Sequence, residues 1–176
     1  VRVIATALPG VLRIAADPAR DGRGSFTRVF CTTNFAELGI DFAPRQTSVS
    51  RSALRGTLRG LHFQTAPSEE TKLLSCVAGA VFDVVVDLRA GSPSYRQAVT
   101  HELHADDGVA LLIAPGCAHG VLTLSDDAVV LYQIDRDHDP AHATGVRWND
   151  PAFAIDWPMA PAVISERDAA WPDLRG

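Results

Sequence analysis

The sequence predicts an all-β chain, an antiparallel sandwich or barrel. Three observations carry that expectation. About ten short runs rich in β-branched and aromatic residues follow one another along the chain. Turn residues separate them at hairpin-length spacing, as in Asp21-Gly22, Ala78-Gly79, Gly91-Ser92-Pro93, Asp106-Asp107-Gly108 and Ser125-Asp126-Asp127. No strand–helix–strand alternation suggests a parallel nucleotide-binding sheet.

The predicted strands, in order, are 10–16 (GVLRIAA), 24–30 (GSFTRVF), 46–52 (QTSVSRS), 58–64 (LRGLHFQ), 72–77, 80–88 (AVFDVVVDL), 98–103, 109–114, 119–124 and 129–134. One short helix is expected over 33–38 with Thr32 or Thr33 as N-cap, and Ser165-Glu166-Arg167-Asp168 reads as the cap and first turn of another. Alternation with period two says which residues share a face. Leu58, Gly60, His62 and Gln64 then point one way and Arg59, Leu61 and Phe63 the other. Asp83, Val85 and Asp87 share a face, as do Val130, Tyr132 and Ile134. A closed barrel of this size encloses one small ligand, and polar residues on inward faces mark the cavity.

At 176 residues and 47% apolar composition, the chain builds one core, a single domain over 1–176, and is no disordered tail or coiled coil. Its net charge of −5 argues against a general nucleic-acid binder. An anionic ligand must be held by local arginines. Three cysteines, Cys31, Cys76 and Cys117, without C-x-x-C spacing predict neither a disulfide framework nor a zinc cluster, and suit a reducing cytoplasm. The N-terminal residues hold no apolar run long enough for a signal core. No segment approaches the length of a membrane span, so the reading is a soluble cytoplasmic protein with no membrane partner.

The basic residues are 15 Arg and a single Lys, Lys72. A position that escapes an arginine bias is a candidate for chemistry that needs a compact ammonium. The six His do not form an H-x-H metal pattern: His62-Phe63-Gln64 places glutamine where a second ligand would stand. No bound metal is expected. The chain has no G-x-S-x-G, no P-loop and no G-x-G-x-x-G. What remains is a proton-transfer set: His62, Lys72, Asp83, His119, Tyr132 and Asp168. An imidazole can take a proton from carbon beside a carbonyl, a cation can hold the enolate oxygen, and a second acid can return the proton on the other face. Asp83 or Asp168 could fix the tautomer of the base.

These residues sit in motifs that resemble the dTDP-4-dehydrorhamnose 3,5-epimerase family. The likeness runs in order through DGRGSF (21–26), LRGLHFQ (58–64), Lys72-Leu73, FDVVVDLRAGSP (82–93), IAPGCAHG (113–120), Leu131-Tyr132, WNDP (148–151), IDWP (155–158) and ISERD (164–168). The resemblance implies a jelly-roll (cupin) barrel with one or two short helices, a homodimer, and an isomerase acting without metal or cofactor on a dTDP-linked 4-keto-6-deoxyhexose. It implies His62 as base, Asp168 as its carboxylate, Lys72 as enolate stabiliser and Tyr132 as opposite-face acid. Asp83, His119 and Gln46 match pocket positions and Arg59 the diphosphate contact. Arg23 and Phe26 match an N-terminal strand that reaches a neighbouring subunit's nucleotide site. The rival expectations are a ketoisomerase of the same substrate class and a silent nucleotide-sugar-binding cupin. The chain departs from the family at Arg28, where a glutamate is common, at Ser48, where asparagine is common, and over 136–140 (RDHDP), usually tyrosine-rich. The implied reaction inverts C3, C5 or both. These departures predict altered nucleotide contacts and a specialised sugar pocket, as in a member that inverts only C3 or only C5 of a modified deoxysugar.

Overall fold

The computed structural model describes residues 1–174 as two six-stranded sheets packed face to face. The strands are β1 (Arg2–Ala5), β2 (Leu12–Ala15), β3 (Ala19–Asp21), β4 (Gly24–Phe26), β5 (Gln46–Ser52), β6 (Thr57–Gln64) and β7 (Lys72–Ala78). They continue as β8 (Ala80–Asp87), β9 (Ala98–His104), β10 (Val109–Ile113), β11 (Cys117–Thr123), β12 (Ala128–Ile134), β13 (Ala143–Gly145) and β14 (Val163–Ile164). Two short helices, α1 (Thr32–Glu37) and α2 (Glu166–Ala169), complete the set. One sheet runs β1-β2-β10-β7-β12-β5. The other runs β13-β6-β11-β8-β9, with β14 lying parallel beside β6. All other pairings are antiparallel, which bears out the predicted class.

Alternation decides which side chains enter the space between the sheets. On β8, Val81 and Val85 join Val11, Leu74, Leu111 and Val121 in the central core, while Phe82, Val84 and Val86 face out. That outer face is covered by a C-terminal strap, from which Trp148, Phe153, Trp157 and Ile164 pack over Leu58, Phe82, Val84 and Leu122. Across the barrel, α1 and the chain after it lay Phe35 and Phe42 over Ile14, Leu73 and Leu112. Each sheet is therefore apolar on both sides. The edge pair β5–β12 is less covered, and Val49 is 64% exposed.

Several expectations change in detail. The strand expected over 24–30 stops at Phe26, and Phe30 turns to pack edge-on against Phe35 at 5.0 Å. The N-cap of α1 is Cys31, without a side-chain cap, rather than Thr32 or Thr33. Ser165 caps α2 as expected, its Oγ accepting the Asp168 N–H at 3.1 Å. Strands β1, β3, β13 and β14 were not foreseen. The β3–β4 hairpin pairs only with itself and leaves Phe26 70% exposed. No helix of the described residues is long and apolar enough to cross a membrane.

The faces of β6 also differ from simple alternation. Opposite β11 its register is His62↔His119 and then Arg59↔Val121, three residues against two. This bulge resets the pleat, so that Arg59 and His62 face the same cavity instead of opposite sides. Glycine makes the crossing possible: a Cβ on Gly60, at φ +139°, would stand 2.5 Å from the Cα of Gly120.

Candidate active site

The open end of the barrel holds a cavity of about 490 Å³ lined by Ser50, Arg59, His62, Lys72, His119, Tyr132 and Asp168, among others. Five strands and α2 contribute these side chains. His62 Nε2 donates to Asp168 Oδ1 at 2.7 Å. With that proton on Nε2, a neutral ring carries its lone pair on Nδ1. The His62 side chain is 42% exposed and that of Asp168 only 7%, so the imidazole meets the cavity while its partner is buried behind it. Asp168 also accepts the Gly60 N–H at 3.2 Å and the Trp171 indole N–H at 3.3 Å. Burial works to raise the Asp168 carboxyl, but these hydrogen bonds, His62 first, outweigh it and hold the group below its ordinary value. Gly145, paired with His62 across β13, makes room for the indole. A Cβ there would stand 2.6 Å from the Trp171 ring.

Lys72 enters from the start of β7. Its Nζ donates to the His62 carbonyl at 3.0 Å and lies 2.9 Å from Glu70 Oε1, with both side chains buried. Glu70 was not singled out in the sequence, although it stands two residues before the only lysine. On the facing wall His119 Nε2 donates to Asp83 Oδ2 at 2.7 Å, and this pair is buried as well. Asp83 thus pairs with His119, and Asp168 pairs with His62. The Tyr132 ring stands edge-on to His119 at 5.9 Å. Burial, then the nearby Asp83 charge, push its phenol well above the ordinary value, with Arg59 pulling weakly the other way. Tyr132 is therefore a protonated donor at neutral pH. Arg59 is steadied by Ser52 Oγ at 3.1 Å and the Arg51 carbonyl at 3.2 Å.

Buried carboxylates paired with a lysine or an imidazole add little stability over apolar residues of similar size, because taking a charge out of water costs several kcal/mol per ion. Three of them around one cavity therefore point to chemistry. Gln46 lines an adjoining cavity of about 210 Å³ that shares His62 and Lys72 and also contains His138 and Arg167. Arg23 and Phe26 are not brought to either cavity within the chain. Both stand exposed on the β3–β4 hairpin, where Arg23 is tied to Asp21. Among the described residues no group of three or more His, Cys, Asp or Glu is arranged to hold a metal ion.

Comparison with known proteins matches this arrangement to one family. A family model described as dTDP-4-dehydrorhamnose 3,5-epimerase covers residues 5–176. The dTDP-4-dehydrorhamnose 3,5-epimerase of Sinorhizobium fredii is 43% identical over 155 residues, 88% of this chain and 80% of its own. The dTDP-4-dehydrorhamnose 3-epimerase of Streptomyces niveus is 39% identical over 162 residues, 92% of this chain and 78% of its own. The crystal structure of the Bacillus anthracis dTDP-4-dehydrorhamnose 3,5-epimerase, with TDP and pyrophosphate bound, superposes with a TM-score of 0.95 at 38% identity. That likeness covers 98% of this chain and 99% of the other.

Proposed function

Because the chain belongs to the dTDP-4-dehydrorhamnose 3,5-epimerase family, we propose that His62 is the base that removes a proton beside the C4 ketone of a dTDP-linked 4-keto-6-deoxyhexose. The enzyme is an isomerase of deoxysugar biosynthesis. Asp168 holds the Nε2–H tautomer of His62 and stabilises the imidazolium that forms. Lys72 faces the enolate oxygen, where negative charge develops only as the proton leaves. Tyr132 returns a proton to the opposite face, inverting the centre. Both C3 and C5 flank the ketone, so one apparatus can serve either. Arg59 takes the diphosphate, consistent with the TDP and pyrophosphate held by the Bacillus anthracis relative. The observation that carries this reading is the His62–Asp168 pair, with its free nitrogen open to the cavity that also holds Lys72 and Tyr132.

The test is incubation with dTDP-4-keto-6-deoxyglucose in D2O containing a chelator, read by NMR. Deuterium is expected at C3, C5 or both, with inversion and with the ketone still at C4. A ketone moved to C3 would make the enzyme a ketoisomerase. No exchange and no product would leave a silent nucleotide-sugar-binding module. Activity that the chelator removes and a transition metal restores would overturn the metal-free mechanism.

A homodimer is also proposed. The β3–β4 hairpin carries Arg23 and an exposed Phe26 away from the chain's own cavity, a placement that suits delivery to a neighbouring subunit's nucleotide site. Sedimentation should give twice the chain mass of 18.8 kDa, and a single-chain mass would exclude the exchange. The free thiols Cys31, Cys76 and Cys117 support a cytoplasmic setting for the enzyme. Fractionation of the producing cells, with the enzyme recovered outside the cytoplasm, would exclude it.

A further inference from the structure

Behind the cavity, deeper in the barrel, lies a second polar group. Asp83 has no exposed surface; one oxygen receives His119, while Oδ1 is buried with no hydrogen-bond partner. His101 stands directly opposite Asp83 on β9. Their side chains therefore leave the same face of the sheet, with Cβ atoms about 5 Å apart. His101 Nε2 is likewise buried and unpartnered. Arg13, on β2 of the facing sheet, lies between Ile14 and Leu12 of the outer layer and so points inward, and its Nε is a third such atom. The Asp83 and Arg13 charges both act on His101, whose imidazole is held below its ordinary value mainly by burial.

A buried carboxylate oxygen left without a hydrogen-bond partner is costly, because its lost hydration is not replaced. Buried polar groups in this position are met by protein or by an internal water with two to four partners. We propose that a buried water joins Asp83 Oδ1 to His101 Nε2, with Arg13 Nε as its third partner, and that His101 is thereby a positioning residue for the opposite-face proton transfer. A carboxylate held at one oxygen can pivot; held at both, it fixes the His119 ring. His119 in turn packs edge-on against Tyr132 at 5.9 Å and 68°, so the chain of contacts ends on the phenol. His62 lies outside this chain, tied instead to Asp168. This inference rests on Tyr132 being the opposite-face acid.

The test separates proton abstraction from inversion in one NMR experiment in D2O. For His101→Leu, deuterium wash-in should stay within about twofold of wild type. Inversion should fall roughly 10- to 100-fold, the scale of a small misplacement at a reacting centre. His101→Gln places an amide donor near the lost Nε2 and should restore inversion. Unchanged inversion in His101→Leu overturns the inference. So does an equal loss of wash-in and inversion, which marks a merely structural role, and so does a Gln variant no better than Leu. Should His101→Leu fail to fold, crystals of the unaltered protein decide. A water bridging Asp83 Oδ1 and His101 Nε2 is expected, and a dry gap or a direct contact without water overturns it. Tyr132→Phe, run alongside, keeps the two readings apart, because normal inversion in that variant removes Tyr132 itself.

Discussion

His62→Ala is expected to abolish both epimerisation and solvent deuterium exchange, by about 10²- to 10⁴-fold, the usual cost of losing a general base. The fold should survive. His62 is partly exposed, and Asp168, which loses its shortest hydrogen bond, keeps those from the Gly60 N–H and the Trp171 indole. The variant should therefore show a thermal transition near that of wild type and bind dTDP nearly as well, since the nucleotide end is assigned to Arg59. NMR in D2O and a binding isotherm check the two halves. Exchange at the wild-type rate would remove His62 from the mechanism, whatever happened to product formation.

Tyr132→Phe should behave differently, and the difference is the sharpest probe of how the work is divided. The substitution keeps the ring that packs on His119 and removes only the hydroxyl. Burial, then the Asp83 charge, push that phenol above its ordinary value, so it carries its proton in the native enzyme. Without it, His62 still takes the proton and returns it to the face it left. Deuterium wash-in with retained configuration is expected, with inversion falling by roughly 10²-fold or more. Normal inversion would pass the role to another acid, water being the next candidate. Loss of exchange as complete as in His62→Ala would mean that Tyr132 places the substrate.

The sheet class and most strands were legible because half-buried strands alternate and their turns carry Gly, Asp and Asn-like chemistry. On β8 the alternation placed Asp83 and Val85 on one face, which the structure turns inward. On β6 it failed at one point, because the bulge at Gly60 leaves no mark in period-two reasoning and put Arg59 on the wrong side. Strands β13 and β14 have three and two residues, too few to show any period. The family motifs supplied His62 with Asp168 as its carboxylate, but not the His119–Asp83 or Lys72–Glu70 pairs. Glu70 and Trp171 were missed because nothing local distinguishes them; each acquires meaning from a partner whose position only the folded chain defines. The hairpin residues Arg23 and Phe26 lie beyond what one chain can explain.

The C-terminal strap carries a further consequence. Asp168 and Trp171 reach His62 from more than 100 residues away, on the same stretch of chain that covers Leu58, Phe82 and Val84. Lifting that stretch would take Asp168 from His62 and bare an apolar sheet face together. Loss of the His62–Asp168 pair and exposure of an apolar sheet face are therefore coupled through this one stretch of chain.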